Sequence, residues 1–353
     1  MSNVLLAPGT VSVRFALDSV YNNLASLYMV ALVDVFSGLD EWVGRTAATL
    51  SAAQMRTHRL LFDVLYSAFE PDEDWPSFPD YLDDLAGQDP YRMRDRFLKH
   101  MFPGSGERVV RRAQFMDLET FLARIDRSEF DREIGRDLFA EAHTLLGAPP
   151  AMRDTIVSHL TMMWHEALAA EWERNTGFLE QVTGAFQSRD FSNQSAYEAI
   201  QSVTGREAHG CWHRVLAPAE TLTFIPSPHI GPYLLHYAYG PVVRVVFGAR
   251  LPHGAERGPA ELSRTDLLVQ LRALADDTRL RILELLFEEG ELCAQEIVTR
   301  LKLTKSSGSR HLSQLSATGY LVEHQGAGKT KCYALNPVRF QDTLRFLKRY
   351  AQA

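Results

Sequence analysis

Leu303-Thr-Lys-Ser-Ser-Gly-Ser-Arg-His-Leu-Ser-Gln-Leu-Ser-Ala317 is the stretch on which the fold of this chain turns. Phased at about 100° per residue, Gly308, Leu312 and Leu315 fall within about 60° of one another and make an apolar face. Ser306, Ser309, Arg310 and Ser313 lie opposite, with Lys305, Ser307 and Gln314 on the flanks. That outer face carries hydroxyls, an amide and cations, and no acid. Such groups read base edges and hold phosphates. Thr304 stands where an N-cap belongs, and a helix N-terminus itself favours phosphate.

The elements around this helix complete a grammar. Upstream, Asp276-Asp277-Thr278 is a capping cluster before the apolar run Leu280, Ile282, Leu283, Leu285 and Leu286, and Gly290 ends that helix. A short helix with Ile297, Val298 and Leu301 on one side follows, then the turn Lys302-Leu303-Thr304. Helix, short helix, tight turn and helix spell helix-turn-helix. Downstream, two β-prone arms flank Gly326-Ala-Gly328, which predicts a hairpin. Lys329 and Lys331 alternate along it and project from one face. A basic hairpin behind such a helix is a wing, so the predicted DNA contacts are Lys305, Ser306, Ser307, Ser309, Arg310, Ser313, Gln314, Lys329 and Lys331. The last helix, Pro337–Tyr350, carries Phe340, Leu344 and Leu347 at i, i+4, i+7.

Charge separates this region from the rest. The chain has 353 residues and a net charge of −7. Residues 261–353 hold 14 Lys and Arg against 11 Asp and Glu, leaving 23 against 33 for the remainder. An acidic body joined to a basic tail region points to a polyanionic partner for the tail alone. The connector is Leu251-Pro-His-Gly-Ala-Glu-Arg-Gly-Pro-Ala260, where two prolines and two glycines forbid a continuous helix or central strand. The expected domains are therefore residues 1–250, a connector at 251–260, and residues 261–353.

Leu271-Arg-Ala-Leu-Ala-Asp-Asp-Thr-Arg-Leu-Arg-Ile-Leu283, then Glu291-Leu-Cys293, Leu303–Leu312 and the glycine-containing wing resemble, in order, the motifs of the ArsR (arsenic-repressor-like) winged-helix family. The resemblance covers about a fifth of the chain. It implies a homodimeric transcriptional repressor on a double-stranded operator, while cytoplasmic location is expected from the lack of a visible signal or membrane span. It also implies a dimer interface on the first and last helices, here Leu267, Leu271, Phe340, Leu344 and Leu347. The chain departs from the family's metal sensors. Cys293-Ala-Gln295 lacks the second thiol of a Cys-x-Cys pair, and the last helix offers only Asp342. Gly308 stands where a β-branched residue is common, and Asp277 where a proline is.

The first 250 residues read as mostly helical, with predicted helices at Asp18–Phe36, Thr49–Ala68, Asp89–His100, Leu118–Ile125, Glu129–Leu146, Ala151–Arg174 and Asn193–Val203. Glu70 to Pro79 reads as a loop. Thr221–Ile225, Tyr233–Tyr237 and Val242–Phe247 are short β-prone runs, expected to form a small antiparallel sheet that Thr10–Leu17 joins. The fold class expected for the whole chain is mainly α with a small β component. The segments Val11–Leu17 and Phe224 through Leu251 also resemble N-terminal regions of longer ArsR-like regulators, which carry no assigned chemistry. A small-molecule effector is expected here, between the helices and the sheet. The reasons are the acidity, which suits no second DNA module, and the aromatics Trp164, Trp172, Phe178, Trp212, Phe224, Tyr233, Tyr237 and Tyr239. Pro226 to Pro232 is the expected rim.

Rival readings are weaker. His209-Gly-Cys-Trp-His213 puts His209, Cys211 and His213 on one face of an extended chain, a possible metal or haem site whose spacing matches no known pattern. His159 and His165-Glu166 miss the zincin spacing, and no nucleophile elbow or dinucleotide fingerprint occurs, so an enzyme fused to a winged helix has no visible catalytic set. No cofactor is implied. Three cysteines, Cys211, Cys293 and Cys332, are too few for a disulfide framework and suit a reducing compartment. No secretory signal or 18-residue apolar window is visible, so no membrane association is expected.

Overall fold

A computed structural model describes residues 11–36, 38–102, 117–125, 134–205, 212–251, 264–325 and 331–351. The elements in order are β1 (Ser12–Phe15), α1 (Ser19–Ala31), α2 (Glu41–Thr49), α3 (Ala52–Arg59), a π-helical turn at Leu60–Leu65, α4 (Tyr66–Phe69), α5 (Phe78–Gly87) and α6 (Pro90–Met101). Next come α7 (Leu118–Ile125), α8 (Arg136–Gly147), α9 (Pro149–Met163), a second π-helical turn at Trp164–Leu168, α10 (Ala169–Gln187), α11 (Ala196–Thr204) and α12 (Trp212–Leu216). The strands β2 (Thr221–Ser227), β3 (Leu234–Tyr239) and β4 (Val242–Gly248) follow. The C-terminal region holds α13 (Arg264–Leu274), α14 (Asp277–Glu289), β5 (Leu292–Cys293), α15 (Ala294–Arg300), α16 (Lys305–Ala317), β6 (Leu321–Gln325), β7 (Lys331–Leu335) and α17 (Pro337–Ala351).

The fold is mainly helical with two small sheets, the α+β class read from the sequence. Three helices were not anticipated, among them the short α12 over Trp212–Leu216, where the sequence read as extended chain. Within Glu41–Thr49 no strong periodicity stands out. Another, α5, starts inside the stretch read as a loop: Ser77 caps it by accepting from the Asp80 N–H at 3.3 Å, and Pro79 sits in its first turn. A proline there removes only an N–H that has no partner in the helix.

By internal contacts the chain divides into two units. One comprises residues 19–31 and 44–174; the other comprises 1–18, 32–43 and 175–353. The first unit is all helical. Its α1 is buried along nearly its whole length, polar Asn22, Asn23 and Ser26 included. His58 and His159, both buried, meet inside this unit with Nδ1 and Nε2 2.9 Å apart, and His58 Nε2 donates to the Leu27 carbonyl at 2.8 Å. That bond fixes the tautomers of the neutral pair. His58 Nδ1 must accept, so His159 Nε2 carries the proton between them. Each π-helical turn follows one of these histidines along its own helix.

The second unit contains both sheets. The larger has the order β1-β2-β4-β3. It is mixed: β1 pairs with β2 and β2 with β4 in parallel, and only β3 and β4 are antiparallel. This corrects the expectation of an antiparallel sheet. The β3–β4 hairpin folds so that β4 inserts beside β2, and β3 becomes the outer strand. Thr10–Leu17 contributes β1, as expected. Pro226 is tolerated in β2 because Ala16 N–H bonds the Phe224 carbonyl, which places residues of that parity toward β1. The β1 register ends at Phe15 opposite Phe224, so the missing N–H of Pro226 has no strand to meet. Phe15 stacks on Phe186 and Phe224 at 5.1 and 5.4 Å, in a core with Leu222, Val243, Val245 and Phe247.

Pro226 to Pro232, the expected rim of an effector pocket, and Tyr233 next to it pack on Phe36, Gly38, Leu39 and Trp42. Tyr233 stacks on Phe36 at 4.1 Å and His229 on Trp42 at 4.2 Å. Gly231 has φ +58°, and a Cβ there would lie 2.5 Å from the Gly38 carbonyl oxygen, so only glycine allows this approach. The aromatics expected to line one site are dispersed. Phe224 is core, Tyr239 is 63% exposed, and Trp164 packs on Phe78 in the helical unit.

Candidate nucleic-acid interface

The helix-turn-helix is built as its local sequence dictates. The Cys293 N–H donates to Glu296 Oε2 at 2.8 Å at the start of α15. Leu301 N–H returns to the Ile297 carbonyl and Leu303 N–H to that of Val298, closing the turn. Lys302 sits in this turn at φ 53°, a left-handed conformation that β-carbon sterics normally disfavour. Thr304 then caps α16, its Oγ1 accepting from Ser307 N–H at 3.1 Å. Gly308 explains itself here: a Cβ on it would lie 2.4 Å from Val298 Cγ2, so glycine sets how closely α15 and α16 cross.

Gly308, Leu312 and Leu315 are buried, as the phasing predicts, in a core with Ile282, Leu286, Ile297, Tyr320 and Leu321. On the outer face Lys305, Ser306 and Ser309 are exposed, and Ser307, Arg310 and Ser313 are half-buried. Among α16 residues no acid interrupts this face.

Gln314 is a correction. It is 2% exposed, and its Oε1 accepts from Arg279 Nη1 at 2.7 Å. Gly38 approaches it so closely that a Cβ there would meet Gln314 Nε2 at 2.8 Å. A side chain so enclosed cannot reach a base. Arg279, itself buried, also donates to the carbonyls of Arg272 and Ala273, while Asp276 caps α14 by accepting from the Arg279 N–H at 3.0 Å. His311 is buried too, with Nδ1 3.6 Å from Asp276 Oδ1; burial holds its pKa below the usual range, against the opposing pull of Asp276. The inner edge of α16 is thus a polar knot. Sequence phasing missed it because a flank position does not reveal what covers it.

The second sheet has the order β5-β7-β6, with the wing strands β6 and β7 antiparallel from Leu321 opposite Leu335 to Gln325 opposite Lys331. Lys331 is exposed at the wing. Lys329 lies outside the described residues. Cys293 and Cys332 face each other across β5 and β7 and are joined by a disulfide. The reading of the three cysteines as too few for a disulfide framework and suited to a reducing compartment did not anticipate this bond. Forty residues of sequence hid a pairing that strand register makes obvious.

Of the residues expected at a dimer interface, Leu344 is 57% exposed, while Leu271, Phe340 and Leu347 are half-buried. Leu267 is 5% exposed and is already covered within the chain. Phe340 packs on Tyr320 at 4.8 Å. Thr343 Oγ1 donates to Gln270 Oε1 at 2.6 Å and meets Tyr320 OH at 2.9 Å, which ties α17 to α13. Leu268 and Val338 add exposed apolar surface on the same two helices.

For the metal-like string, His209 and Cys211 lie outside the described residues, and His213 Nδ1 hydrogen-bonds Tyr197 OH at 2.8 Å. Among the described residues no cluster of three or more His, Cys, Asp or Glu could hold a metal. Among them also, no helix is long and apolar enough to cross a membrane.

Residues 276–322, from the cap of α14 to the start of the wing, match the model of a family described as bacterial regulatory protein, arsR family. A transcriptional activator of Vibrio cholerae, HlyU, is 34% identical over 94 residues, which are 26% of this chain and 85% of that protein. This chain belongs to the arsR family. Within it, the arsenic resistance transcriptional regulator ArsR1 of Pseudomonas putida is 41% identical over 69 residues, 20% of this chain and 53% of the relative. The arsenical resistance operon repressor of Escherichia coli is 43% identical over 72 residues, 20% of this chain and 61% of the relative. The arsR-family chain thus spans between half and two thirds of these two arsenic-related proteins. The family-model match lies in its C-terminal part, after the larger sheet and the helical unit.

Proposed function

We propose that this arsR-family protein is a cytoplasmic, DNA-binding transcriptional regulator. It acts as a homodimeric repressor, released from its operator by a small-molecule effector sensed in residues 1–250. Residues 261–353 bind DNA and residues 251–260 connect the two parts. The observation that carries this reading is the division of α16. Its inner side is locked into the winged-helix core, while Lys305, Ser306, Ser309 and the half-buried Arg310 and Ser313 face outward with no acid among them. Lys331, and Lys329 beside it in sequence, supply phosphate contacts from the wing.

Two outward faces half-sites apart need a dimer, and the exposed Leu268, Val338 and Leu344 supply apolar surface for it. The repressor sign follows the name of the E. coli relative; the V. cholerae relative is named an activator. The effector does not act through the family's Cys-x-Cys thiol pair, because Cys293-Ala-Gln295 carries only one of its two thiols. The relatives' names are those of regulators, which favours the regulator reading over an enzyme.

The test is enrichment of duplexes from a random library by the full-length chain, followed by competition against unselected DNA. Arg310→Ala is expected to weaken the enriched duplex by about 1–3 kcal/mol. Lys331→Ala is expected to weaken all sequences alike and flatten the salt dependence by about one phosphate contact. Equal affinity for enriched and unselected DNA overturns the reading.

A further inference from the structure

Cys293 and Cys332 occupy the one place where a covalent bond spans the whole DNA-reading apparatus. Cys293 ends β5 and directly precedes α15; Cys332 lies in β7, one residue past the exposed Lys331. The 39-residue separation between them encloses α15, the turn, α16 and β6. Apart from the bond, the β5–β7 ladder has two register pairs, Leu292 opposite Tyr333 and Cys293 opposite Cys332, and Leu292 and Tyr333 also pack in the winged-helix core. A two-residue ladder is marginal by itself, since isolated short pairings are barely stable in water. The bond therefore adds to how firmly the wing root is held against the first helix of the helix-turn-helix.

The two sulfurs also differ in access. Cys332 is 3% exposed, whereas Cys293 is half-buried at the rim of the sheet. A small thiol or disulfide reaches Cys293 first, and Cys332 is placed to resolve the product.

We propose that Cys293 and Cys332 form a thiol–disulfide site whose substrate is a low-molecular-weight thiol–disulfide couple, and that its oxidised form is the tighter DNA binder. This rests on the DNA-regulator reading. In the oxidising direction, the Cys293 thiolate attacks one sulfur of the small disulfide and expels one small thiolate, leaving a mixed disulfide. The Cys332 thiolate then attacks the Cys293 sulfur and expels the second small thiolate. Two electrons pass from the cysteine pair to the small disulfide, which leaves as two thiols, and the two cysteine protons go with them. Reduction runs the same steps backward. The crosslinked wing meets DNA already positioned, whereas the reduced wing must be ordered on binding, and that ordering opposes affinity.

The experiment uses the full-length chain equilibrated in glutathione buffers of varied reduced-to-oxidised ratio, then alkylated and mapped by peptide mass. The DNA probe is a 40-base-pair duplex enriched separately by the oxidised and the reduced chain. The expected result is that Cys293 and Cys332 become protected together in a single two-electron step. The oxidised chain should bind the duplex at least tenfold tighter, and saturating duplex should shift the midpoint of the step by the same factor, since coupling is reciprocal. Cys293→Ser and Cys332→Ser should each bind like the reduced chain at every ratio, with circular dichroism confirming that they fold. The wild-type titration needs no variant and stands by itself. Independent alkylation of the two cysteines at all ratios overturns the site. Joint protection with equal affinity and an unmoved midpoint overturns its coupling to DNA. Joint protection with no duplex enriched in either state overturns the DNA-regulator reading, and the coupling with it.

Discussion

Arg279 Nη1 donates to Gln314 Oε1 at 2.7 Å beneath helix α16, and both side chains are buried. The same guanidinium serves the carbonyls of Arg272 and Ala273, so one residue joins the end of α13, the start of α14 and α16. Arg279→Ala strands three acceptors at once and is expected to lower stability by about 2–4 kcal/mol in urea denaturation. Arg279→Lys should recover little of it, because an ammonium lacks the planar fork. Gln314→Ala should lower stability and leave the base preference of enriched DNA unchanged. A changed preference would return Gln314 to the reading face.

Gly308→Ala pits two effects against each other. Alanine in a helix interior gains about 1 kcal/mol over glycine. Yet the new Cβ would meet Val298 Cγ2 at 2.4 Å, and the β-branched side chain of half-buried Val298 is stiff at χ1 and yields reluctantly. Overpacking of this kind costs about 1–3 kcal/mol, so the variant is expected to be destabilised on balance. Val298→Ala added to it should restore more stability than it removes, a sign inversion that a double-mutant cycle reads directly.

The buried pair in the helical unit makes stability depend on pH. Burial holds His58 down to about 3 and His159 to about 4, with the neighbouring ring adding to the effect at His58. Unfolded histidine titrates near 6.5, so between that value and about 4 the unfolded chain binds more protons than the folded one. Stability is therefore full above about pH 6.5 and falls as the pH drops toward 4, by several kcal/mol in order of magnitude. Denaturation midpoints at pH 7.5, 6 and 5 check this. His159→Gln, which keeps a donor for His58 Nδ1 and removes one titrating ring, should make the slope shallower.

Leu344 and Leu267 should separate assembly from folding. Leu344 is 57% exposed, so Leu344→Glu is expected to yield a folded monomer by sedimentation, with affinity for the enriched duplex lost. Leu267 is 5% exposed, so Leu267→Ala should lower the monomer's own stability by about 2–4 kcal/mol. A tight dimer in Leu344→Glu would move the interface away from α17.

The winged helix-turn-helix was legible in the sequence because its rules are local. Thr304 as a cap, the apolar spacing of Gly308, Leu312 and Leu315, and the glycine-centred wing all act within a few residues. What escaped depends on partners far along the chain. Gln314 was misplaced because Arg279 and Gly38 enclose it, and Cys293 because its partner lies in another strand. The sheet strands were found, but their parallel pairing was not, since a β-prone run declares its own strand and says nothing of its neighbour's direction. Pro79 misled in the other direction: a proline-rich acidic stretch reads as loop, while its last proline opens α5.

The pairing of Ser12 with Thr221 sets an order of events during synthesis. A ribosome adding about 5–20 residues per second leaves β1 without its partner for roughly 10–40 s, while the chain of the helical unit emerges in the interval. The nascent protein therefore exposes a bare strand edge on β1 for the whole of that interval.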